Sequence, residues 1–149
     1  MFKLSVAIIT YNEEKNIQRC LESVIEIADE IVIVDSLSTD RTEEISLSFA
    51  NKVNLKFIKQ SFLGYIEQKN FALDQTSFEY VLSLDADEAL SPELLLSIKD
   101  AKRNFKNNAY SFNRLTHYVD QWIYHCGWYP DTKLRLVNKN FARWKGVNP

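Results

Sequence analysis

Three acidic residues follow directly on an apolar segment of strand length, and their types and spacing suit them to bind a metal ion. The segment spans residues 80–84, and Asp85, Asp87 and Glu88 fall within the next four positions. Divalent cations bind carboxylate oxygens, and ligands of open α/β sheets lie at the carboxyl ends of strands. Because a diphosphate is a natural anionic partner of such a metal, this run indicates a nucleotide substrate.

The same run also fits a plain connection between a strand and a helix, since Asp and Ser favour turns and helix caps. A helix start follows, with Ser91 suited as N-cap and Pro92 at the first helical position. That start lies beyond the acids and does not require them. From this run alone, a metal site and a structural loop both remain open.

The composition is typical of one globular domain and excludes several classes of function. The chain has 149 residues, of which 46% are hydrophobic and 26% charged, with a net charge of −2. Without a long basic run, nucleic acid is not an expected partner. The glycines at positions 64, 127 and 146 form neither a dinucleotide-binding nor a phosphate-binding loop. Cys20 and Cys126 lie far apart, so we expect free thiols in a reducing compartment.

The elements that must position the acids alternate between strand and helix. Apolar runs rich in β-branched residues predict buried strands, and apolar residues at helical spacing predict amphipathic helices. Asp40 and Glu43 are spaced as a capping box for the second helix. This alternation predicts an α/β fold, Rossmann-like, with a mostly parallel sheet flanked by helices. We predict strands at residues 4–9, 31–34, 53–58 and 80–84, and helices at 12–27, 40–49, 65–73 and 92–105.

The part of the chain after residue 107 has a different texture. It is rich in aromatic residues, and residues 133–138 alternate like a strand with one exposed face. We expect this part to be α+β and to form the far wall of a cleft. The last residues, 146–149, do not predict a terminating element, so we expect the domain to continue beyond them.

Polar residues follow three of the predicted strands where each strand ends. Right-handed crossovers between parallel strands place these ends along one edge of the sheet, where ligands of open α/β sheets bind. The convergence of the three groups favours a binding site more strongly than any single motif does. The groups are Thr10-Tyr11-Asn12-Glu13, Asp35 to Asp40 with Ser36 among them, and Asp85-Ala86-Asp87.

Each of these side chains has a chemical role open to it and a plain structural alternative. Asp35 can accept hydrogen bonds from a base or a ribose, as acidic residues do in nucleotide-binding folds. Asp87 can bind a metal that bridges two phosphates, with Asp85 on the metal or the ribose. Thr10 can flank the base or ribose, and Lys69 can reach the base or the phosphates. Alternatively, Asp35 is a turn residue and Lys69 a solvated helix lysine.

Four sequence blocks together resemble family 2 glycosyltransferases, which have the GT-A fold. The blocks span residues 6–14, 33–42, 68–72 and 84–88 and occur in the family's order and spacing. The resemblance covers about the first 100 residues and continues more weakly to the end. The form Asp-Ser-x-Ser-Thr-Asp at 35–40 is most like that of bacterial enzymes of lipopolysaccharide core or surface polysaccharide synthesis.

The resemblance implies an inverting transfer of a sugar from a nucleotide-sugar donor, usually a UDP-sugar, to a glycan or lipid-linked acceptor. Residues 1–106 would then be the donor-binding half of one GT-A domain, and 107–149 the start of the acceptor-side half. The Asp-x-Asp of Asp85 and Asp87 matches the family's site for Mg²⁺ or Mn²⁺. The positions that match donor-binding residues are Thr10, Tyr11, Glu13, Asp35 and Lys69, and Asn12, Ser36 and Ala86 lie in the same loops.

The resemblance also implies a general base downstream of the Asp-x-Asp, which takes the proton of the acceptor hydroxyl. Candidates are Asp120, His125 and Asp131, and we predict that Asp131 is the base. A base beyond Pro149 remains the alternative. Trp122, Trp128 and Tyr129 can stack on a sugar or belong to the core.

The apolar stretch at 4–9 is too short to span a membrane and no cleavage site follows it. We therefore expect a cytoplasmic protein, with peripheral contact to the cytoplasmic membrane and a homodimer as further hypotheses.

One alternative function is a sugar-phosphate nucleotidyltransferase, although the glycine-free, acidic loop after the first strand argues against it. The other is a catalytically incomplete nucleotide-binding module.

Overall fold

The computed structural model describes residues 1–147, so the expectation about the end of the chain lies partly outside the described residues, at Asn148 and Pro149. Four strand–helix repeats come first, followed by four further strands. The elements are β1 (Leu4–Thr10), α1 (Ile17–Val24), β2 (Glu30–Asp35), α2 (Thr42–Leu47), β3 (Leu55–Lys59), α3 (Tyr65–Asp74), β4 (Tyr80–Asp85), α4 (Pro92–Arg103), β5 (Ala109–Arg114), β6 (Thr116–Tyr118), β7 (Gln121–Ile123) and β8 (Asp131–Asn138).

A six-stranded sheet in the order β3-β2-β1-β4-β8-β5 forms the centre of the molecule. Strands β1 to β4 run parallel, whereas β8 is antiparallel to both β4 and β5. The predicted mostly parallel α/β sheet is therefore confirmed. In the register, Thr10 pairs with Asp35 and Ile9 pairs with Asp85. The carboxyl ends of β1, β2 and β4 thus meet at one edge, as the sequence predicts.

Helices cover both faces of the sheet, which explains why its central strands are apolar throughout. One face packs against α1 and α4, through residues such as Leu21 and Ile98. The other face packs against α3, through Ala72 and Leu73. Every residue of β1 and β2 is buried as a result. This two-sided burial holds the strand ends, and the loops that leave them, in a fixed frame.

The first helix begins later than predicted, at Ile17 instead of Asn12. Asn12 has φ +51°, a left-handed conformation that no helix continues. The backbone N–H groups of Glu13 and Glu14 donate to Thr42 Oγ1 and Asp40 Oδ2 at 2.8 and 3.0 Å. The prediction was wrong because hydrogen bonds from the neighbouring loop replace the first helical turn.

The predicted caps have different outcomes. Ser91 Oγ accepts a hydrogen bond from Leu94 N at 3.2 Å, which confirms the N-cap of α4. The capping box at Asp40 was wrong, since α2 begins at Thr42 with Arg41 as its N-cap residue, and no side-chain cap is present within residues 1–147. Asp40 Oδ1 instead accepts from Thr42 N and Oγ1 at 3.0 and 2.6 Å. Asp40 therefore joins the start of α2 to the loop after β1.

Strand β8 was predicted, but its second half is buried on both faces, from Arg135 to Asn138. This part of the prediction was wrong because β8 lies between β4 and β5 inside the sheet.

The hairpin of β6 and β7 stands apart as a second, two-stranded sheet. Its turn residues Val119 and Asp120 both have positive φ, as a two-residue hairpin turn of type I′ requires.

Within residues 1–147, none of the helices has both the length and the apolar character needed to cross a bilayer.

Candidate functional site

The loops that follow β1 and β2 are joined by hydrogen bonds. The Asn12 N–H donates to Ser38 Oγ at 2.8 Å, and Asn12 Oδ1 accepts from Thr39 N at 2.8 Å. Ser38 in turn donates from its backbone N to Asp35 Oδ2 at 2.8 Å and from its hydroxyl to Asp35 Oδ1. The Asp35 carboxylate, fully buried, thus organises the loop, and a contact of Asp35 with a base or ribose stays a prediction.

A cleft of about 620 Å³ opens beside these loops, at the carboxyl ends of β1 and β4. Most of the residues that the sequence singles out line it, whereas Asn12, Asp35 and Lys69 are not among its lining residues. Its lining comprises Thr10, Tyr11, Glu13, Ser36, Asp85, Ala86 and Asp87 from the predicted set, with Ile9, Phe62, Tyr65 and Gln68 in addition.

Two aromatic residues of this lining were missed. The rings of Phe62 and Tyr65 lie 5.1 Å apart, edge to face, and both side chains are about half exposed. They flank Gly64, whose φ of +136° is a conformation that L side chains rarely adopt. Aromatic residues beside a glycine at a helix start were the signal for a turn that presents rings to a ligand.

The Asp85 carboxylate lies between two buried cations. Lys69 Nζ is 2.9 Å from Asp85 Oδ1, and Arg135 Nη2 is 3.3 Å from Asp85 Oδ2. The Lys69 and Arg135 side chains are only 10% and 8% exposed, so the interpretation of Lys69 as a solvated lysine is wrong. The Lys69 ammonium is at ion-pair distance but off the direction of a hydrogen bond, since Asp85 Oδ1 has no hydrogen-bond partner among residues 1–147.

Glu88 completes this arrangement. Its Oε2 accepts a hydrogen bond from Asp85 N at 3.0 Å, and its Oε1 accepts from Arg135 Nη2 at 2.5 Å. Arg135 therefore binds both acids of the loop from the neighbouring strand. Sequence reasoning missed Arg135, although a charged residue within the apolar alternation of 133–138 was the available signal.

Asp87 differs from Asp85 in both exposure and partners. Its side chain is exposed, and within residues 1–147 its carboxylate has neither a hydrogen bond nor an ion pair, while Arg19 donates to its backbone oxygen at 2.8 Å. The Thr10 hydroxyl is buried in the same cleft and also has no partner among the described residues. A carboxylate and a hydroxyl that are both free thus border the cleft.

These groups fit a divalent cation that takes some of its ligands from the protein and the others from a substrate. Among residues 1–147 no three His, Cys, Asp or Glu side chains cluster as a complete metal cage. Mg²⁺ sites, however, commonly use one or two carboxylates together with substrate phosphates. Asp87, with Asp85 Oδ1 close by, supplies that donor set.

A second, larger groove of about 1450 Å³ adjoins the cleft, and Asp87 lines both. Its far wall comes from the second half of the chain and includes Trp122, Tyr124 and Tyr129. These rings are at least one-third exposed, so they do not belong to the core. A ligand in this groove would therefore also lie next to Asp87.

Asp131, the predicted base, begins β8 and forms two ion pairs. Its Oδ2 lies 2.7 Å from Arg114 Nη2, and its Oδ1 lies 2.9 Å from Lys133 Nζ. The hydrogen bond from Lys133, together with that from Arg114, holds the pKa of Asp131 below its usual range. Asp120 and His125 are exposed and line neither cavity. The assignment of the base stays a prediction.

Cys20 lies beneath the acid loop as a buried free thiol, and Cys126 is free and exposed. Burial, together with the negative charges of Glu88 and Asp87, raises the pKa of Cys20 to about 12. Burial and these charges therefore favour the protonated form of the Cys20 thiol.

Comparison with known proteins agrees with this geometry. The sequence model of the family described as "Glycosyl transferase family 2" matches residues 5–145. A glycosyltransferase of Rickettsia typhi, described as uncharacterized, is 38% identical over 149 residues, which cover 95% of this chain and 48% of the relative. The lipopolysaccharide core biosynthesis glycosyltransferase LpsC of Rhizobium meliloti is 42% identical over 92 residues, which cover 61% of this chain and 34% of LpsC. The chain thus spans about half the length of the Rickettsia typhi relative and about a third of the length of LpsC.

Solved structures show the same fold. The Staphylococcus aureus TarS fragment 1–349 in complex with UDP is 32% identical, with a TM-score of 0.63 over 72% of this chain and 34% of the TarS chain. The mannosyltransferase PcManGT of Pyrobaculum calidifontis, in complex with GDP-Man and Mn²⁺, has a TM-score of 0.62 at 24% identity, over 76% of this chain and 36% of that one. Both are GT-A glycosyltransferases, so the predicted GT-A fold is confirmed.

Proposed function

The chain belongs to glycosyltransferase family 2, and we propose from that premise that its cleft binds the diphosphate of a nucleotide-sugar donor through a metal ion on Asp87. The observation that carries this proposal is the contrast between the two acids of the Asp-x-Asp. Asp85 is balanced by buried cations, whereas Asp87 is exposed and unpaired within residues 1–147. A free carboxylate at the mouth of a nucleotide-sized cleft is placed to share a cation with a phosphate.

Mg²⁺ or Mn²⁺ would be held by Asp87 together with the donor phosphates, with Asp85 Oδ1 as a further oxygen nearby. When bound, such an ion stabilises the negative charge that develops on the departing diphosphate. Arg19 fixes the backbone of Asp87 by its hydrogen bond to the carbonyl oxygen. Arg135 and Glu88 hold the other end of the loop.

The base and ribose of the donor would occupy the part of the cleft near Thr10 and Tyr11. The free Thr10 hydroxyl supplies a hydrogen bond there, and the half-exposed rings of Phe62 and Tyr65 supply apolar surface. TarS is described as a poly(ribitol-phosphate) beta-N-acetylglucosaminyltransferase and has been solved with UDP and with UDP-GlcNAc. This supports a UDP-sugar as donor for the present chain.

The acceptor would lie in the larger groove, so that its hydroxyl attacks the donor sugar from the face opposite to the diphosphate. This geometry corresponds to inversion at the anomeric carbon, with a general base on the acceptor side. Residues 1–106 then form the donor half and 107–149 begin the acceptor half. Asp131 is our candidate base on that side, and a base beyond Pro149 is the alternative.

Synthesis of lipopolysaccharide core or surface polysaccharide is the process that we propose for the whole protein. It is supported by the descriptions of LpsC and TarS. A glycan or lipid-linked acceptor follows from that process. Membership of the family argues against a nucleotidyltransferase. Peripheral association with the cytoplasmic membrane and a homodimer stay predictions.

Calorimetric titration of the chain with UDP, with and without Mn²⁺, tests the donor site. We expect UDP binding that requires Mn²⁺ and is lost in Asp87→Ala. Asp100→Ala is the matched control, because Asp100 is 82% exposed on α4 and its loss should leave binding unchanged. UDP binding that is independent of the metal, or equal in Asp87→Ala, contradicts the proposal. Metal-dependent UDP binding without sugar transfer by the whole protein supports the incomplete binding module instead.

A further inference from the structure

The segment that follows β8 returns across helix α3 and is held there by paired polar contacts. Trp144 N donates to Asn70 Oδ1 at 3.0 Å, and Asn70 Nδ2 donates back to Trp144 O at 2.9 Å. One residue earlier, Arg143 forms two hydrogen bonds of 2.8 Å with the carboxylate of Asp74. These contacts fix both the position and the orientation of Trp144 on α3.

The Trp144 ring covers the residue next to Asn70 on the helix. Lys69 Nζ lies 4.8 Å from the centroid of the ring, and the same ammonium lies 2.9 Å from Asp85 Oδ1. The Lys69 side chain is 10% exposed, so it is held between a ring and a carboxylate with little access to water. A cation above an indole face is attracted to it, more strongly when water is excluded.

We propose that Trp144 is a positioning residue of the donor site, which acts by holding Lys69 against Asp85. This inference deepens the proposed function and rests on it. The described segment at 141–147 is separated by more than fifty positions from the Asp-x-Asp loop in sequence, yet Trp144 and Asp85 contact the same ammonium. The position of the Lys69 charge thus depends on a residue that is not among the lining residues of the cleft.

The physical consequence follows from charge. With Lys69 in place, Asp85 adds little net negative potential beside the diphosphate, and Asp87 is free to share a cation with it. Without the indole, the ammonium gains both water and rotational freedom, so it balances Asp85 less completely. The uncompensated Asp85 then repels the donor diphosphate at short range. We therefore expect weaker donor binding when the ring is removed.

The first test is calorimetric titration of UDP in the presence of Mn²⁺. We expect Trp144→Ala to raise the Kd of UDP about fivefold to tenfold, and Trp144→Phe, which keeps a ring, to recover most of that loss. Phe141→Ala is the control, since Phe141 is 71% exposed in the same segment and makes no ring contact in the described structure. A Kd for Trp144→Ala equal to that of the native chain overturns the inference.

A double-mutant cycle separates positioning of Lys69 from a general structural role. If Trp144 acts through Lys69, Trp144→Ala has no further effect on UDP affinity in the Lys69→Met background. Additive effects of the two substitutions on UDP affinity indicate a structural role and overturn the inference. The same holds if Trp144→Phe lowers both the UDP affinity and the melting temperature of the chain. Failure of the native chain to bind UDP contradicts the proposed function itself, which distinguishes the two outcomes.

Discussion

Arg135 Nη2 lies 3.3 Å from Asp85 Oδ2, so a side chain of the antiparallel strand β8 touches the end of the parallel strand β4 at the candidate site. The same nitrogen donates to Glu88 Oε1. Arg135 is 8% exposed, which means that its charge depends on these two carboxylates for compensation. This contact ties the second half of the chain to the acid loop of the first.

We predict that Arg135→Ala destabilises the chain by about 2 to 4 kcal/mol, because removing one partner of a largely buried ion pair leaves the other charges uncompensated. Urea denaturation measures this change. Arg103→Ala is the control, since Arg103 is 73% exposed and lies 3.7 Å from Asp100, so a change below about 0.5 kcal/mol is expected. Equal effects of the two substitutions contradict the assignment.

The loop after β2 provides a second prediction, through Ser38. Ser38→Ala removes the hydroxyl that donates to Asp35 and accepts from the Asn12 backbone. Loss of such a donor to a buried carboxylate lowers the free energy of unfolding by about 1 to 3 kcal/mol. The loosened loop should also weaken UDP binding. Thermal melting and UDP titration measure the two effects. Ser48→Ala removes an exposed hydroxyl that, among residues 1–147, bonds only to the Ile45 carbonyl of its own turn, so it should change neither.

A third prediction concerns pH and the opposite end of β2. Burial alone would raise the pKa of Glu30, yet hydrogen bonds from Lys56, Ser77 and Ser5 lower it to about 2. Since the pKa is depressed in the folded chain, the carboxylate stabilises the fold above about pH 4.5. This contribution is lost as the pH falls from there toward about 2.

Glu30→Gln should therefore lower the free energy of unfolding at pH 7 by about 1 to 3 kcal/mol. It should also flatten the pH dependence of that free energy between pH 4.5 and 2. Denaturation at a series of pH values measures both. Because Glu30 begins the strand that Asp35 ends, UDP affinity at pH 7 should not change. An unaltered pH dependence in Glu30→Gln would show that other groups dominate the acid response.

Much of the fold followed from local patterns along the chain. The four strand–helix repeats follow from periodicity, and the meeting of Thr10, Asp35 and Asp85 at one edge follows from the handedness of crossovers. The late start of α1 did not follow, because it depends on hydrogen bonds that the backbone N–H groups of Glu13 and Glu14 donate to the loop after β2. Those bonds join residues 26 to 29 positions apart.

The partners of the site acids could not be predicted for the same physical reason. Lys69 and Arg135 are ordinary charged residues in their own helix and strand. Their roles arise only when β8 pairs with β4 and α3 packs on the sheet. The sequence pattern therefore locates the acids, while the tertiary pairing decides that Asp85 is compensated and that the Asp87 carboxylate has no partner among residues 1–147.

The most direct test of this account measures Mn²⁺ itself. Electron paramagnetic resonance of free Mn²⁺ reports how much metal the protein binds in the presence of UDP, compared with UDP alone. We predict that the native chain removes Mn²⁺ from solution when UDP is present, and that Asp87→Asn, which keeps the shape but not the charge, removes no more than UDP alone. Equal Mn²⁺ binding by the native chain and Asp87→Asn would contradict the claim that Asp87 holds the metal on the donor.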